Sequence, residues 1–295
     1  MMFPRILVLM GFTGALLPVS LALGQQPPAQ AGQASQPAAP LPEIRQLMRE
    51  VQDHQLQLEK LKENYTYSSL QTTQDIDSNG QVRKTETEEH EQFYANGHAI
   101  GRVVKKNGKP LDDQEQQKET DRVTKLVEKA QNTPPGQPLG EHSITVSQVL
   151  EMMDVRNPRR VTFRGRATIV FDFIGRKDAK THGLAQDVSK KLQGTMWIDE
   201  ADKEIAHCEV SFTDNFSIGG GLVARIEKGS NFTFDQALVN GEIWLPTGAE
   251  GTVAARLLLV KGIRQHFVER DTDFKRFHVE AQQNKDAKAL VEGKR

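Results

Sequence analysis

The first regular pattern in the chain is helical. Between Glu43 and Leu61, directly after a proline, apolar residues recur at intervals of three and four. They are Ile44, Leu47, Met48, Val51, Leu58 and Leu61. This spacing predicts an amphipathic helix with a single apolar stripe. His54 falls on the stripe without a second histidine or a carboxylate as partner, so we interpret it as a packed residue and not as a metal ligand.

After this helix the hydrophobic period changes to two. Four Asn-Gly pairs punctuate the chain at Asn79-Gly80, Asn96-Gly97, Asn107-Gly108 and Asn240-Gly241. Such pairs favour two-residue hairpin turns, because a type I′ turn needs positive φ twice. The pattern therefore predicts a three-stranded meander of Tyr65 to Ile76, Val82 to Ala95 and His98 to Lys105. Its second strand is unusually polar, which is typical of an edge strand or of a strand solvated on both faces.

Two helices and a long run of strands are predicted beyond the meander. The helices cover Asp112 to Gln131 and Ile144 to Met153, and residues 161–173 alternate as one continuous strand. A short polar helix around Asp187 to Leu192 precedes the remaining strands. These are Thr195 to Asp199, Ile205 to Thr213, Leu222 to Lys228, Asn231 to Val239, Glu242 to Leu245, Thr252 to Val260 and Ile263 to Phe274. The sum is about eleven antiparallel strands in an α+β, mainly antiparallel β fold.

The two ends of the chain differ from this pattern. Residues 1–24 carry Arg5, then an apolar stretch and small residues at Ala22 and Gly24, which predicts a cleaved signal peptide. An uncleaved membrane anchor is the alternative, because the apolar run is close to the length that spans a bilayer. Residues 25–42 are rich in Pro, Gln and Ala and indicate a disordered linker. We expect a single domain over 43–280, a disordered tail over 281–295, and a location in the periplasm or outside the cell.

Composition narrows the classes of function. The net charge of −1 gives no electrostatic reason to expect nucleic acid as a partner. Cys208 is the only cysteine and lies in an alternating run, so we expect a buried thiol and no disulfide. The eight histidines form no zinc motif, and neither a P-loop nor a GxSxG sequence occurs. No catalytic residue, metal site or cofactor is predicted.

One stretch matches a metal-binding pattern. Residues 75–86 fit the EF-hand calcium loop, with ligand positions at Asp75, Asp77, Asn79 and Glu86. An EF-hand needs a helix on each side of the loop, but both flanks lack a helical stripe. We therefore interpret the stretch as a hairpin with a two-residue turn at Asn79-Gly80. This register pairs Asp75 with Lys84 and Tyr65 with Tyr94.

Three further stretches carry a family resemblance. They are GTMWIDEADKEIAHCEV (194–210), GEIWLP (241–246) and RQHFVERDTDFKRF (264–277). With the order of helix, strands, helices and strands, they resemble the LolA-like family of outer-membrane lipoprotein-sorting proteins over most of 43–280. The resemblance implies an unclosed half-barrel of about eleven strands, with helices on the concave side over an apolar cavity. It also implies binding of acyl chains or another hydrophobic ligand.

These observations lead to one functional hypothesis and two alternatives. The hypothesis is a non-catalytic periplasmic protein that binds a lipid, an acyl chain or a lipidated protein, with an inner- or outer-membrane partner protein. The apolar residues expected to face the interior are Val161, Phe163, Ile169, Phe171, Phe173, Val253, Ala255, Leu257 and Leu259. The alternatives are an envelope interaction or stress-sensing protein without ligand transport, and a carboxylate-dependent hydrolase. Two buried carboxylates converging in the interior would favour the hydrolase.

Overall fold

The computed structural model describes residues 40–135, 137, 139, 152–180, 183–258 and 261–277. Three helices lie within them: α1 (Ile44–Lys62), α2 (Asp113–Gln131) and α3 (Leu184–Ser189). The thirteen strands are β1 (Tyr65–Ile76), β2 (Val82–Ala95), β3 (His98–Lys106), β4 (Lys109–Pro110), β5 (Met153–Phe163), β6 (Arg166–Gly175), β7 (Leu192–Asp199), β8 (Ile205–Phe212), β9 (Phe216–Ile218), β10 (Ala224–Ile226), β11 (Asn231–Val239), β12 (Ile243–Leu257) and β13 (Lys261–Arg276). The predicted signal peptide (1–24), most of the predicted linker (25–42) and the predicted tail (281–295) lie outside the described residues.

All described strands belong to one antiparallel sheet. Its order is β4-β3-β2-β1-β13-β12-β11-β8-β7-β6-β5, and β10 joins it by pairing with β12 and β9. The two end strands, β4 and β5, do not pair with each other, so the described sheet is unclosed. This order confirms the predicted mainly antiparallel, unclosed fold. No helix among the described residues is long and apolar enough to cross a membrane.

Helix α1 follows its predicted bounds to within one residue at each end. The Glu43 carboxylate accepts hydrogen bonds from the backbone N–H groups of Arg45 and Gln46, which satisfies the free donors of the first turn. The apolar stripe is buried at Ile44, Leu47, Met48 and Val51. These side chains join the largest core cluster of the sheet, and each contributes about 1.5–3 kcal/mol by leaving water.

Helix α2 packs on the opposite face of the sheet from α1. Its Val123 and Ala130 form a separate cluster with Phe93 of β2 and Ile100 of β3. Phe171 of β6 belongs to the cluster beneath α1. Following the residue pairs strand by strand across the sheet from Phe171 leads to Glu88 in β2, so Glu88 lies on the same face as Phe171. Phe93 is an odd number of positions from Glu88 and so points to the other face. The helices are therefore divided between the two faces, because Phe93 and Ile100 need a cover of their own.

The meander matches its predicted strands, and three of the four Asn-Gly pairs adopt positive φ at both residues. The remaining turn, at Asn79-Gly80 between β1 and β2, is wider than predicted. Asp75 pairs with Lys84 as expected, but the register then shifts and Ile76 pairs with Val82. The Asp77 carboxylate causes the shift, because it accepts hydrogen bonds from the backbone N–H groups of Asn79 and Gln81.

Two strand predictions over the second half of the sequence were wrong. Residues 161–173 are a hairpin and not one strand, because Arg164 (φ 51°) and Gly165 (φ 79°) form a turn between β5 and β6. The two short strands predicted between 242 and 260 are the single strand β12, which absorbs its proline at a β-bulge near Thr247. Of the predicted helix Ile144 to Met153, Met153 instead begins β5, and residues 144–151 lie outside the described residues.

Candidate functional site

We call the sheet face that packs against α1 the inner face. Residues paired across neighbouring strands share a face of the sheet. The strand pairing therefore aligns six residues of the inner face in one row that runs across the strands from β6 to β13. The row is Phe171, Met196, Cys208, Phe234, Ala249 and Glu269. Strands lie about 4.8 Å apart, so the row spans about 24 Å. Five consecutive apolar side chains thus lead to one carboxylate.

A second apolar row runs beside the first. It consists of Phe173, Gly194, Val210, Phe232, Gly251 and Phe267. Its two glycines lie beneath aromatic rings: a Cβ at Gly194 would be 2.5 Å from the Phe173 ring, and one at Gly251 would be 2.7 Å from the Phe267 ring. Glycine is needed at both positions because the rings occupy the space of a side chain. The result is an apolar surface two rows wide.

The carboxylate end of the first row is a buried polar cluster. Glu269 and Asp271 lie two positions apart on β13 and share the inner face, and Ser69 of β1 pairs directly with Asp271. The Ser69 hydroxyl donates to the Glu269 carboxylate at 2.8 Å. Asp271 and Ser69 are 0% and 1% exposed, and Glu269 is 8% exposed. Two carboxyl groups therefore converge in the interior of the described domain.

Burial determines the protonation of both carboxyl groups. It raises the pKa of Glu269 to about 7, with the Ser69 hydroxyl opposing. It raises the pKa of Asp271 to about 9, and the negative charge of Glu269 adds to this shift while Ser69 opposes it. Asp271 is thus a neutral carboxylic acid at pH 7, and Glu269 changes its charge close to that pH.

Aromatic side chains surround this cluster. The ring centroid of Tyr67 is 6.5 Å from that of Tyr94 and 5.3 Å from that of Phe274. Burial raises the pKa of both tyrosine hydroxyls, and the Asp271 charge contributes to each rise, which indicates that both lie near this carboxyl group. Three aromatic rings and two carboxyl groups therefore meet at the end of the apolar row.

The residues predicted to face the interior do not all share one face. Ile169, Phe171 and Phe173 lie on the inner face and pack in the core beneath α1. Val161 and Phe163 lie on the other face, because the two-residue turn pairs them with Thr168 and Arg166. Across a two-residue turn, an odd-numbered residue of the first strand pairs with an even-numbered residue of the second, and paired residues share a face. The expectation of a common inward direction is therefore wrong for these two residues.

The four predicted residues of β12 and its continuation are spread along the strand. Val253 and Ala255 share the inner face with Gly251, where Val253 is half-buried and Ala255 is buried. Leu257 is half-buried and pairs with Ala224 of β10. Leu259 lies outside the described residues.

On the outer face, Phe163 belongs to a different cluster. Its ring centroid lies 6.0 Å from that of Trp197 and 5.7 Å from that of His207. The His207 imidazole contacts the Asp235 carboxylate at 2.8 Å, and Arg164 forms an ion pair with the same carboxylate. Burial lowers the pKa of His207, but the hydrogen bonds and negative charges of Asp235 and Glu209 together outweigh burial, and the net pKa is raised. This cluster lies on the outer face beside the turn between β5 and β6.

The ligand positions of the calcium pattern serve other contacts. Asp75 accepts a hydrogen bond from Gln265 at 2.8 Å, Asp77 holds the turn, and Glu86 is paired with Lys84 at 2.7 Å. Glu86 lies along β2 opposite Thr73 and not in the turn. Among the described residues, no group of three or more His, Cys, Asp or Glu side chains is arranged to hold a metal ion.

The sequence reasoning missed Glu269 and Asp271. Both lie in the stretch 264–277, which carries part of the family resemblance but in which the sequence analysis singled out no individual residue. A strand period of two starting from Phe267 places positions 269 and 271 on the same face as its ring. Two acidic residues at strand positions where the alternation calls for apolar residues were therefore the signal in the sequence for this buried carboxylate pair.

Comparisons with known proteins return structures and no sequence relatives. No protein-family model and no curated protein sequence matches the chain. A protein described as an outer membrane lipoprotein-sorting protein domain, from Vibrio parahaemolyticus, is similar at 11% identity over 84% of this chain and 97% of that chain, with a TM-score of 0.34. A DUF1329 family protein from Desulfovibrio piger ATCC 29098 is similar at 10% identity over 81% and 98% of the two chains, with a TM-score of 0.30.

A third similar structure is MucB in complex with MucA(peri). It shares 10% identity with this chain over 78% of this chain and 99% of MucB, with a TM-score of 0.23. The first of the three structures carries the description of the group that the sequence resembles, and the low identities and TM-scores make the likeness a distant one.

Proposed function

We propose that this protein is an exported, non-catalytic binding protein whose inner face holds a lipid, an acyl chain or a lipidated partner. The observation that carries the proposal is the pair of parallel apolar rows, of which only a part is covered by α1. Phe232, Val253 and Phe267 are half-buried on the inner face, although Phe173 and Val210 in the same region are buried. Half-buried apolar side chains on a sheet face supply a surface that an apolar ligand can cover.

The rows are long enough to favour a chain-like ligand. Each methylene group that leaves water contributes about 0.8 kcal/mol, so ten methylene groups along the rows supply about 8 kcal/mol before the entropic cost of binding. No charged group is needed for affinity of this size. The apolar leader-like segment at residues 1–24 supports a location in the periplasm or outside the cell, where such a protein would take part in lipid or lipoprotein trafficking.

A binding experiment with a fluorescent fatty-acyl probe tests this function. Val253→Asn places an amide on the inner face, and we expect it to weaken probe binding about tenfold, because a buried apolar contact is replaced by a desolvated polar group. Val82→Asn is the matched control, since Val82 is 51% exposed at the start of β2. Absence of probe binding to the wild-type protein, or equal binding by both variants, would contradict the proposed site.

The carboxylate pair is the observation that favours a hydrolase instead. A general base must be ionised at the working pH and must reach the water or the substrate that it activates. Asp271 is fully buried and its pKa of about 9 keeps it protonated at neutral pH, which leaves Glu269, with a pKa of about 7, as the one member of the pair that could act as a base. Glu269 is only 8% exposed, and this burial limits its contact with water. A hydrolase would show turnover of a soluble acyl ester that Asp271→Asn abolishes. We expect no turnover above that of the buffer.

A further inference from the structure

The apolar row of the inner face ends at a carboxyl group instead of at solvent. Phe234 and Ala249 precede Glu269 in register, and Asp271 lies one pair further along β13 on the same face. Ala249 is the smallest side chain in the row, so little bulk separates the apolar part from the carboxyl groups. The half-buried Phe267 of the second row lies two positions before Glu269 on β13 and on the same face, so a ligand along the uncovered part of that row would end beside the carboxyl groups.

Asp271 lacks the hydrogen-bond partners that buried carboxyl groups normally have. Neither oxygen of Asp271 has a hydrogen-bond partner within the described part of the chain. The Ser69 hydroxyl lies close enough to Asp271 to lower its pKa, but it has a single proton, and the hydrogen-bond geometry assigns that proton to Glu269 at 2.8 Å. No lysine or arginine of the described residues contributes to the electrostatics of either group. The two oxygens of Asp271 are therefore acceptors without a donor among the described residues.

Aromatic rings lie near these oxygens, because the Asp271 charge raises the pKa of both Tyr67 and Tyr94. Tyr67 is 5% exposed and has the rings of Tyr94 and Phe274 within 6.5 Å of its own. The negative faces of such rings attract a cation that has been removed from water. Aromatic rings combined with unpaired carboxyl oxygens are the surroundings that stabilise an ammonium group, which carries both a positive charge and N–H donors.

We propose that this end of the inner face binds the primary ammonium group of an amphiphile whose apolar part lies along the rows. The inference rests on the proposed function, because the apolar rows hold the body of the same ligand. A primary ammonium offers three N–H donors to the oxygens of Asp271 and Glu269, whereas a quaternary ammonium offers none. Among the other titratable groups on this face, Tyr67 and Tyr94 lie beside Asp271, His90 is paired with Ser69, and Glu88 is paired with Gln71.

Isothermal titration calorimetry with three ligands of one chain length tests the inference. The ligands are decylammonium, decanol and decanoate at pH 7, each below its aggregation concentration. We expect decylammonium to bind about tenfold or more tightly than decanol, because charge-assisted hydrogen bonds add to the same apolar contact. Decanoate should bind more weakly than decanol, because its charge meets two acidic groups.

A proton count distinguishes this site from a purely structural cluster. Asp271 holds a proton at pH 7 in the free protein, so binding an ammonium beside its ionised form releases about one proton. Titrations in two buffers of different ionisation enthalpy measure this number. Asp271→Asn should abolish the release and reduce decylammonium affinity to that of decanol, and Glu269→Gln should weaken it in the same direction. Asp273→Asn, an exposed position on the same strand, is the control and should behave as wild type.

The outcomes separate the inference from the function on which it rests. Equal affinity for decylammonium and decanol, without proton release, overturns the ammonium site and leaves the apolar binding surface intact. Binding of none of the three ligands overturns both. Two sources could present this chemistry. Preference for lysophosphatidylethanolamine over lysophosphatidylglycerol indicates a lipid headgroup, and preference for an acylated lysine peptide over its glutamine counterpart indicates a lipidated protein.

Discussion

Replacing Asp271 with asparagine should stabilise the protein increasingly as the pH rises. Asp271 is fully buried, and its pKa in the folded protein is about 9 against 3.8 for an unperturbed aspartate. Between these values the folded state holds a proton that the unfolded state has released. The carboxyl group therefore favours folding at low pH, and this contribution is lost as the pH rises from about 4 to 9.

The expected size follows from that difference in bound protons. One proton held only by the folded state changes the free energy of unfolding by about 1.4 kcal/mol per pH unit. From pH 5 to pH 8 the wild-type protein should thus lose about 4 kcal/mol relative to Asp271→Asn. Asparagine keeps the shape of the side chain but has no proton to lose, so the variant lacks this part of the pH dependence.

Urea unfolding at pH 5, 6, 7 and 8, followed by tryptophan fluorescence, gives the free energies for both proteins. Asp273→Asn is the matched control, because it makes the same chemical change at an exposed position of β13. Its stability should follow the wild-type pH profile with a constant offset. Parallel profiles for wild type and Asp271→Asn would refute the account of a buried neutral carboxyl group.

Three further changes test other parts of the structure. Gly194→Ala should lower the free energy of unfolding by about 2–3 kcal/mol, because the new Cβ would lie 1.9 Å from a backbone oxygen. Gly262→Ala is the control in thermal melts and should be nearly neutral, because its new Cβ would have no neighbour within 4 Å. Glu204→Ala should cost about 1–3 kcal/mol in urea unfolding, since Glu204 is fully buried and accepts a hydrogen bond from α1 at Gln55. Asp77→Ala should lower the melting temperature equally with and without calcium, because Asp77 holds a turn and not an ion; a calcium-dependent difference would contradict this.

The elements with unambiguous local signals were predictable from the sequence. The stripe of α1 follows a period of 3.6, and the first two strands of the meander match their predicted bounds because Asn-Gly pairs define their ends. The turn at Arg164-Gly165 was missed because arginine at φ 51° is not a turn signal. The alternation of apolar and polar residues continues through this turn in the sequence, but odd-numbered residues before the turn lie on the opposite face from odd-numbered residues after it.

The candidate site was predictable only in its apolar half. Phe171 and Phe173 follow the strand period, so their burial could be inferred from the sequence. The carboxyl groups of Glu269 and Asp271 were not inferred, because which strand faces meet depends on the order of strands across the sheet. β13 lies between β1 and β12, and this long-range pairing brings Ser69 to Asp271 across about two hundred residues.

Protein purified from its native source shows directly which ligand it carries. Organic extraction of the folded protein, followed by mass spectrometry of the extract, gives the answer. We predict an acyl-chain ligand in near-stoichiometric amount, enriched in species with a primary amine and reduced in Val253→Asn relative to Val82→Asn. Wild-type protein that is consistently free of lipid, and that also takes up no fatty-acyl probe, would contradict it.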